Sequence, residues 1–355
     1  MIILYILLAI LVLLLMIMIH ETGHYIAGKI LKFKIEEYSI GFGKPIFSKT
    51  LKSGEVFSLR WIPLGGFCAF KGEDEDGNED KECFNSYPCW KRLIVLFSGA
   101  FFNFVSAIIF SLILLVSIGS GFVQINSFDS DCINTDKLQK NDIILEVDGV
   151  EPTFINGGII KLMSDKDVGE DISLLIRRDG KEMTVVVQKY QKYQKNEETG
   201  ELVLDNNGKP IVQSKVIGVM TDYVKLNFGE ALAKCVPYTF NMAWECLVVL
   251  GGLFTGEIGI ESVGGPVTTV QTIAQSTATD FRNLILLFPL IAVNLAVFNL
   301  LPVPALDGAR MVFVLIEWIF RKPVPREIEG KIHNIGLFVL FGLVILIDIL
   351  HIFLF

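Results

Sequence analysis

Charge is scarce in this chain. Lys, Arg, Asp and Glu supply only 20% of its 355 residues against 52% hydrophobic ones, where soluble domains carry about a quarter charged. That balance excludes the disordered and collagen-like classes. A basic surplus is lacking too: 31 Lys and Arg stand against 39 Asp and Glu, for a net charge of −8. Nucleic acid is therefore excluded as a partner, since nothing is left over to neutralise phosphates. Cysteine is equally thin. Cys68, Cys83, Cys89, Cys132, Cys235 and Cys246 form no C-x-x-C pair, so neither a cysteine zinc site nor a disulfide scaffold is indicated. Histidine occurs four times, and no internal repeat is evident.

What charge there is sits in blocks. Eleven Lys and Arg fall within residues 29–92, fifteen within 137–282 and five within 310–331. Between them, residues 1–19 are continuously apolar, 93–118 and 283–306 carry no charge, and 335–355 carry only Asp348 and His351. Each run has about the 20 residues that carry a helix across roughly 30 Å of hydrocarbon. Four transmembrane helices are expected. The first lacks the basic leader and A-x-A-like site of a signal peptide and reads as a retained helix. The short basic segments 29–92 and 310–331, with Trp90 and Trp318 as interfacial anchors, are expected on the cytoplasmic side. Both termini and the 130–280 region then lie outside.

The cytoplasmic stretch contains two glycine- and proline-punctuated pieces, 39–45 and 61–67, that read as hairpin-like, and an acidic run 73–82 that reads as a solvated loop. Outside, residues 122–189 read as a small mixed domain with a turn at Asp148-Gly149, followed by a polar loop or long hairpin over 190–210. The apolar run 236–254, with Pro237, Gly251 and Gly252, is read as an interfacial or protein-packed helix because a fifth crossing would break the parity.

Against this background one polar cluster stands out. His20-Glu21-Thr22-Gly23-His24 is an H-E-x-x-H at the inner part of the first apolar helix. Positions i and i+4 share a helix face, so both imidazoles can bind one zinc while Glu21 activates its water. With Lys29 at the surface, His20 lies about 13 Å deep at 1.5 Å per residue. Polar groups at that depth are functional candidates by default, and metal ligation is a free-energy term large enough to offset the cost. A catalytic zinc takes a third protein ligand. The first and third helices cross in the same direction, which brings their ends to the same depth, and there the sequence reads Asn299-Leu300-Leu301-Pro302-Val303-Pro304-Ala305-Leu306-Asp307-Gly308. Asp307 is the candidate third ligand, with an ion pair to Arg310 as the alternative for that carboxylate. Glu317, His333, Asp348 and His351 are read as snorkelling or capping residues.

His20-Glu21-x-x-His24 on a first transmembrane helix with Asn299-x-x-Pro302-x-Pro304-x-Leu306-Asp307-Gly308 on a later one resembles the site-2 proteases, the intramembrane zinc metallopeptidases. The likeness runs over nearly the whole chain. Gly41-Phe42-Gly43 and Gly65-Gly66 look like that family's membrane-associated β-region, residues 99–103 its second-helix motif, and 263–267 the stretch before its third helix. Residues 137–149 are similar to a PDZ domain. The match is to the bacterial regulator-of-sigma-E protease type, with a single PDZ domain. Ala100 stands where the second-helix motif usually has proline, and Asn141 where many PDZ relatives have glycine.

The resemblance implies a multi-pass α-helical protein of the bacterial plasma membrane, with a cytoplasmic membrane-associated β-region and an extracytoplasmic PDZ-like α+β domain. The segments are expected as follows: 1–31 the first helix, 32–91 the cytoplasmic β-hairpin region, 92–119 the second helix, 120–222 the PDZ-like domain with an insertion, 223–282 a membrane-adjacent amphipathic region, 283–309 the third helix, 310–332 a cytoplasmic loop and 333–355 the fourth helix. It implies one Zn2+ per chain on His20, His24 and Asp307, Glu21 as general base and Asn299 as a hydrogen-bond partner of the substrate or oxyanion. The active site would lie toward the cytoplasmic side. Gly41, Gly43, Gly65, Gly66, Pro302 and Pro304 are the expected substrate-binding positions, with tight turns as the plainer account of the glycines. Partners would be membrane lipid and the transmembrane segments of proteins already shortened by another protease, such as anti-sigma factors and signal-peptide remnants. An ion transporter or a PDZ-bearing membrane scaffold is the alternative.

Overall fold

The computed structural model describes residues 2–73, 80–153, 158–164, 166–194, 202–204, 209–259 and 263–354. Part of the acidic run 73–82 and part of the polar stretch 190–210 lie outside the described residues. The chain divides into two compact units, Met1–Ser111 with Cys235–Phe355, and Leu112–Lys234.

In the first unit, α1 (Ile2–Ile30) buries Ala9, Val12, Met16, His20, Gly23, His24, Ala27 and Gly28, a stripe at helical spacing. Its other faces expose Leu4, Leu7 and Leu11, which costs nothing in hydrocarbon and much in water. α2 (Cys89–Ser117), α6 (Arg282–Leu300) and α8 (Arg326–Leu354) are the other helices long and apolar enough to cross a membrane, four in all among the described residues. They match the four uncharged runs. α4 (Phe228–Thr255) and α5 (Pro266–Thr279) fill the stretch before α6, and α4, interrupted by Pro237, is not among the candidate spans.

Two expectations about boundaries need correction. α6 ends at Leu300 and does not run to residue 309, because Pro302 and Pro304 supply no backbone N–H and Leu301 is already extended at φ −66° and ψ 143°. The segment 310–332, expected as a loop, is mostly helical: α7 (Asp307–Phe320) starts at Asp307, and α8 begins at Arg326, ahead of residue 333.

Residues 39–45 and 61–67 are not separate hairpins. They lie on the two strands of one antiparallel sheet, β1 (Ile35–Thr50) and β2 (Val56–Phe70), in which Phe42 pairs with Ile62. Gly41 has φ +83° and sits under the Ile62 carbonyl, 2.6 Å from where a Cβ would be, so only glycine fits. Leu51 N–H donates to the Glu55 carbonyl at 2.8 Å to close the turn.

Asp348, deep in α8, turns out to be a cap. Its carboxylate accepts the backbone N–H groups of Val267 and Thr268 at 3.1 and 3.0 Å and the Thr268 hydroxyl at 2.7 Å, satisfying the otherwise orphaned first donors of α5. His351 Nε2 lies 3.1 Å from the Val263 carbonyl. Glu317 pairs with the buried guanidinium of Arg92.

The second unit is built on a five-stranded antiparallel sheet of order β6-β5-β4-β3-β9. Its strands are β3 (Val123–Phe128), β4 (Ile143–Val147), β5 (Asp171–Arg178), β6 (Lys181–Gln188) and β9 (Val219–Tyr223). Alternating residues Ile172, Leu174 and Ile176 point into its core with Val123, Ile125, Ile144 and Val187. Asp148-Gly149 and Asp179-Gly180 both turn with positive φ at the two residues, as two-residue hairpin connections demand. A short helix, α3 (Gly158–Ser164), is capped by the buried Lys189, whose Nζ donates to the carbonyls of Met163, Ser164 and Lys166. β7 (Tyr190–Tyr193) and β8 (Val212–Val216) form a separate two-stranded hairpin.

The end of α1 is tied to the β1–β2 turn through Glu55. This side chain is 2% exposed and accepts Lys29 Nζ at 2.6 Å, Tyr25 Oη at 2.9 Å and Ser53 Oγ at 2.9 Å. Burial alone would raise its pKa, but the bond from Lys29, with backbone and hydroxyl donors, outweighs it and holds the carboxyl down to about 2. A carboxylate whose pKa is depressed on folding contributes stability above its unfolded pKa and loses it as pH falls through the folded one. Glu55→Gln is therefore expected to lower stability at pH 7 by on the order of 2 kcal/mol. Thermal unfolding in detergent should show the gap to wild type shrinking as pH is lowered from about 4.5 toward 2.

Candidate metal centre

Three side-chain atoms converge inside the first unit. His20 Nε2 and Asp307 Oδ2 are 2.9 Å apart, His24 Nε2 and Asp307 Oδ2 3.2 Å, and the two Nε2 atoms 3.1 Å. Both imidazoles are buried, at 8% and 7% exposure. The i, i+4 spacing on α1 stacks the histidines on its buried stripe. Asp307 reaches them because α6 stops before the prolines and the chain re-enters as α7.

The helices approach closely through glycine. A Cβ on Gly23 would lie 3.0 Å from Gly99 Cα of α2, so the two backbones touch. A Cβ on Gly99 would meet His20 Cε1 at 2.6 Å and His24 Cε1 at 2.7 Å. α2 thus forms a floor beneath both rings. It also sets their protonation. His24 Nδ1 is 2.8 Å from the Val95 carbonyl, an acceptor, so Nδ1 carries the proton and Nε2 presents a lone pair. His20 Nδ1 faces the amide of the fully buried Asn103 at 3.4 Å. The Asn103 Oδ1 has no partner as placed. Turning that amide over, a choice that shape does not decide, puts Oδ1 opposite His20 Nδ1–H and frees the second Nε2 as well.

Two imidazole nitrogens and a carboxylate oxygen thus converge in one buried place, the donor set that a metal cation would take. Zinc bound tetrahedrally at 2.0 to 2.1 Å separates its ligand atoms by about 3.3 Å, close to the 2.9 to 3.2 Å seen here. The donor set, two nitrogens and one oxygen with further positions open, is that of a catalytic zinc site.

The alternative for Asp307, an ion pair with Arg310, is not formed among the described residues, and Arg310 pairs with Glu73. Glu21 is half-buried beside the cluster. Two cavities meet at the metal centre, sharing His20, Glu21, Ala305 and Asp307 in their walls. The larger, about 740 Å³, runs past Phe67, Cys68 and Ala69 of β2 to the charged side chains of Glu73, Arg310 and Arg326. The smaller, about 290 Å³, is walled by Ile17, Asn103, Leu295 and Asn299. Asn299 reaches the site in this way, though its Nδ2 donates to its own helix at the Leu295 carbonyl, 2.9 Å away. Among the described residues, neither cavity lining includes Gly41, Gly43, Gly65, Gly66, Pro302 or Pro304. A Cβ on Gly66 would lie 3.6 Å from Glu21 Cγ.

Sequence reasoning did not reach the roles of Gly99, Asn103 or the Val95 carbonyl. The one-turn spacing of Gly99 and Asn103 was visible, but which face of α2 meets α1 was not.

A model of peptidase family M50 matches residues 8–343 of the chain. The chain is 32% identical over 356 residues to a Fusobacterium nucleatum protein named as a zinc metalloprotease, covering 97% of each. It is 31% identical over 355 residues to one so named from Clostridium perfringens, again covering 97% of each. Similarity extends to a chloroplastic membrane metalloprotease of Arabidopsis thaliana, 30% identical over 346 residues, 90% of this chain and 74% of the relative.

Because Gly99 leaves no room above it, Gly99→Ala is expected to strip the metal. Zinc content of the purified variant should fall to a small fraction of wild type while the circular-dichroism helix signal is kept. A variant with full zinc content would show that α2 does not form the floor.

Proposed function

The chain belongs to peptidase family M50, the site-2 protease family of zinc metalloproteases, and from that premise we propose that it cleaves peptide bonds within membrane-spanning segments. The observation that carries this reading is the His20, His24 and Asp307 cluster between four apolar helices, with Glu21 at its edge. Membership removes the ground for the transporter and scaffold alternatives.

His20, His24 and Asp307 would hold the zinc. When bound, it supplies Lewis-acid polarisation of a carbonyl and acidifies water. Glu21 takes the proton from the attacking water at a carboxylate oxygen and delivers it to the leaving amide nitrogen. Asn299, on the wall of the smaller cavity, turns its amide from the Leu295 carbonyl to the substrate backbone.

A helical substrate hides its carbonyls in i to i−4 bonds and has to unwind. Support for strand addition as the receiving step comes from the two-stranded sheet, whose β2 residues Phe67, Cys68 and Ala69 wall the larger cavity beside Glu21. A strand with an unpaired edge offers main-chain partners to an extended peptide. The exposed apolar side chains of Phe42, Ile46, Phe47, Trp61 and Ile62 support a hairpin that dips into lipid. The charged mouth of the larger cavity supports a cytoplasmic opening for water. We read the second unit as the PDZ-like domain, outside the cell membrane, screening for substrates already shortened elsewhere. Anti-sigma factors and signal-peptide remnants are the proposed substrate class, in the plasma membrane of a bacterium.

The test is Glu21→Gln, purified in detergent with a transmembrane reporter as substrate. Zinc content is expected to match wild type while cleavage falls by about 10²- to 10⁴-fold. Cleavage at the wild-type rate would remove Glu21 from the chemistry, and a wild-type protein without zinc would remove the reading as a whole.

A further inference from the structure

His333 takes no part in the chemistry above, yet it lines the same cavity as the ligands. It projects from α8, and its Nδ1 accepts the Ala305 backbone N–H at 3.0 Å. The neutral ring therefore keeps its proton on Nε2. Ala305 is no ordinary donor. Its φ is +80°, a left-handed conformation that costs a residue with a Cβ roughly 1 to 2 kcal/mol, and such a residue persists only where its surroundings hold it.

The position of that residue matters. Pro302 and Pro304 have no N–H to give, and Ala305 lies in the turn that leads into α7, two residues before Asp307. A second contact from the same face of α8 reinforces the first. Gly336, one turn beyond His333, lies so close to Pro304 that a Cβ there would run into the proline ring and come within 3.2 Å of its Cα. From below, Gly308 packs on the Leu300 and Leu301 carbonyls, with a Cβ position 2.5 Å from Leu300 O. The link between α6 and α7 is thus gripped by α8 at Pro304 and Ala305.

The geometry points to His333 as a positioning residue for the metal: by accepting the Ala305 N–H it holds the left-handed turn that aims Asp307 at His20 and His24. This rests on the zinc reading above and adds α8, which contributes no ligand, to the parts on which zinc affinity depends. Partners that orient a ligand typically account for 10- to 100-fold in metal affinity.

Two substitutions separate the hydrogen bond from the bulk of the ring. His333→Asn keeps an acceptor near the Nδ1 position, and His333→Leu keeps the volume and removes it. Zinc retention is measured against increasing chelator on detergent-purified protein, with melting temperature read on the same samples. His333→Leu is expected to release zinc at about tenfold or more lower chelator than wild type, and His333→Asn near the wild-type point. Gly336→Ala, which pushes on Pro304 without touching the ring, is expected to weaken zinc in the same sense and carries the test if His333→Leu does not fold. A His333→Leu or Gly336→Ala protein that melts early yet releases zinc with wild type has lost only packing, and overturns the inference. Absence of zinc from the wild type would instead overturn the metal reading on which it stands.

Discussion

Two imidazole nitrogens and a carboxylate oxygen lie within 3.2 Å of one another in the interior of an apolar helix bundle. That crowding is the constraint around which the first unit is arranged. A buried carboxylate has to be met by a proton from the imidazoles or by a metal. With zinc between them the same atoms become a ligand set. The close crossing of α1 and α2 at Gly23 and Gly99, the Val95 carbonyl that fixes one tautomer and the break after α6 each serve to keep that set in place.

The break has a second consequence. An uninterrupted helix would carry Asp307 past the histidines, whereas a stop at Leu300 followed by a proline-rich reversal lets a new helix begin at the ligand itself. Freed backbone at such depth is tolerated when protein encloses it or a cavity wets it. Both apply here: α8 grips the reversal, and cavities lie on either side of the ligands. The metal centre is walled by both cavities, one running on to the charged side chains of Glu73, Arg310 and Arg326 and the other lined by Asn103 and Asn299.

Much of this was legible in the sequence, for identifiable reasons. Uncharged runs of membrane length announce spanning helices by composition alone. H-E-x-x-H carries its own geometry, since i and i+4 share a face, and a proline pair announces a helix end. Parity of the crossings singled out Asp307, which lies with the two histidines. What escaped were relations across helices. Nothing local in residues 93–103 says that Val95, Gly99 and Asn103 face the histidines, because that depends on how α2 is rotated. Asp348 was assigned only to snorkelling or capping, since its partners, the first amides of α5, lie far away in sequence. The glycine-rich pieces looked like two hairpins because local punctuation marks bends, while pairing of Phe42 with Ile62 is a long-range choice.

If zinc sits on His20, His24 and Asp307, X-ray absorption at the zinc edge of the purified protein will show a first shell of nitrogen and oxygen only, at about 2.0 to 2.1 Å, with outer-shell scattering from two imidazoles, reduced to one in His24→Ala. Sulfur in the first shell, a third imidazole, or no bound zinc would contradict it.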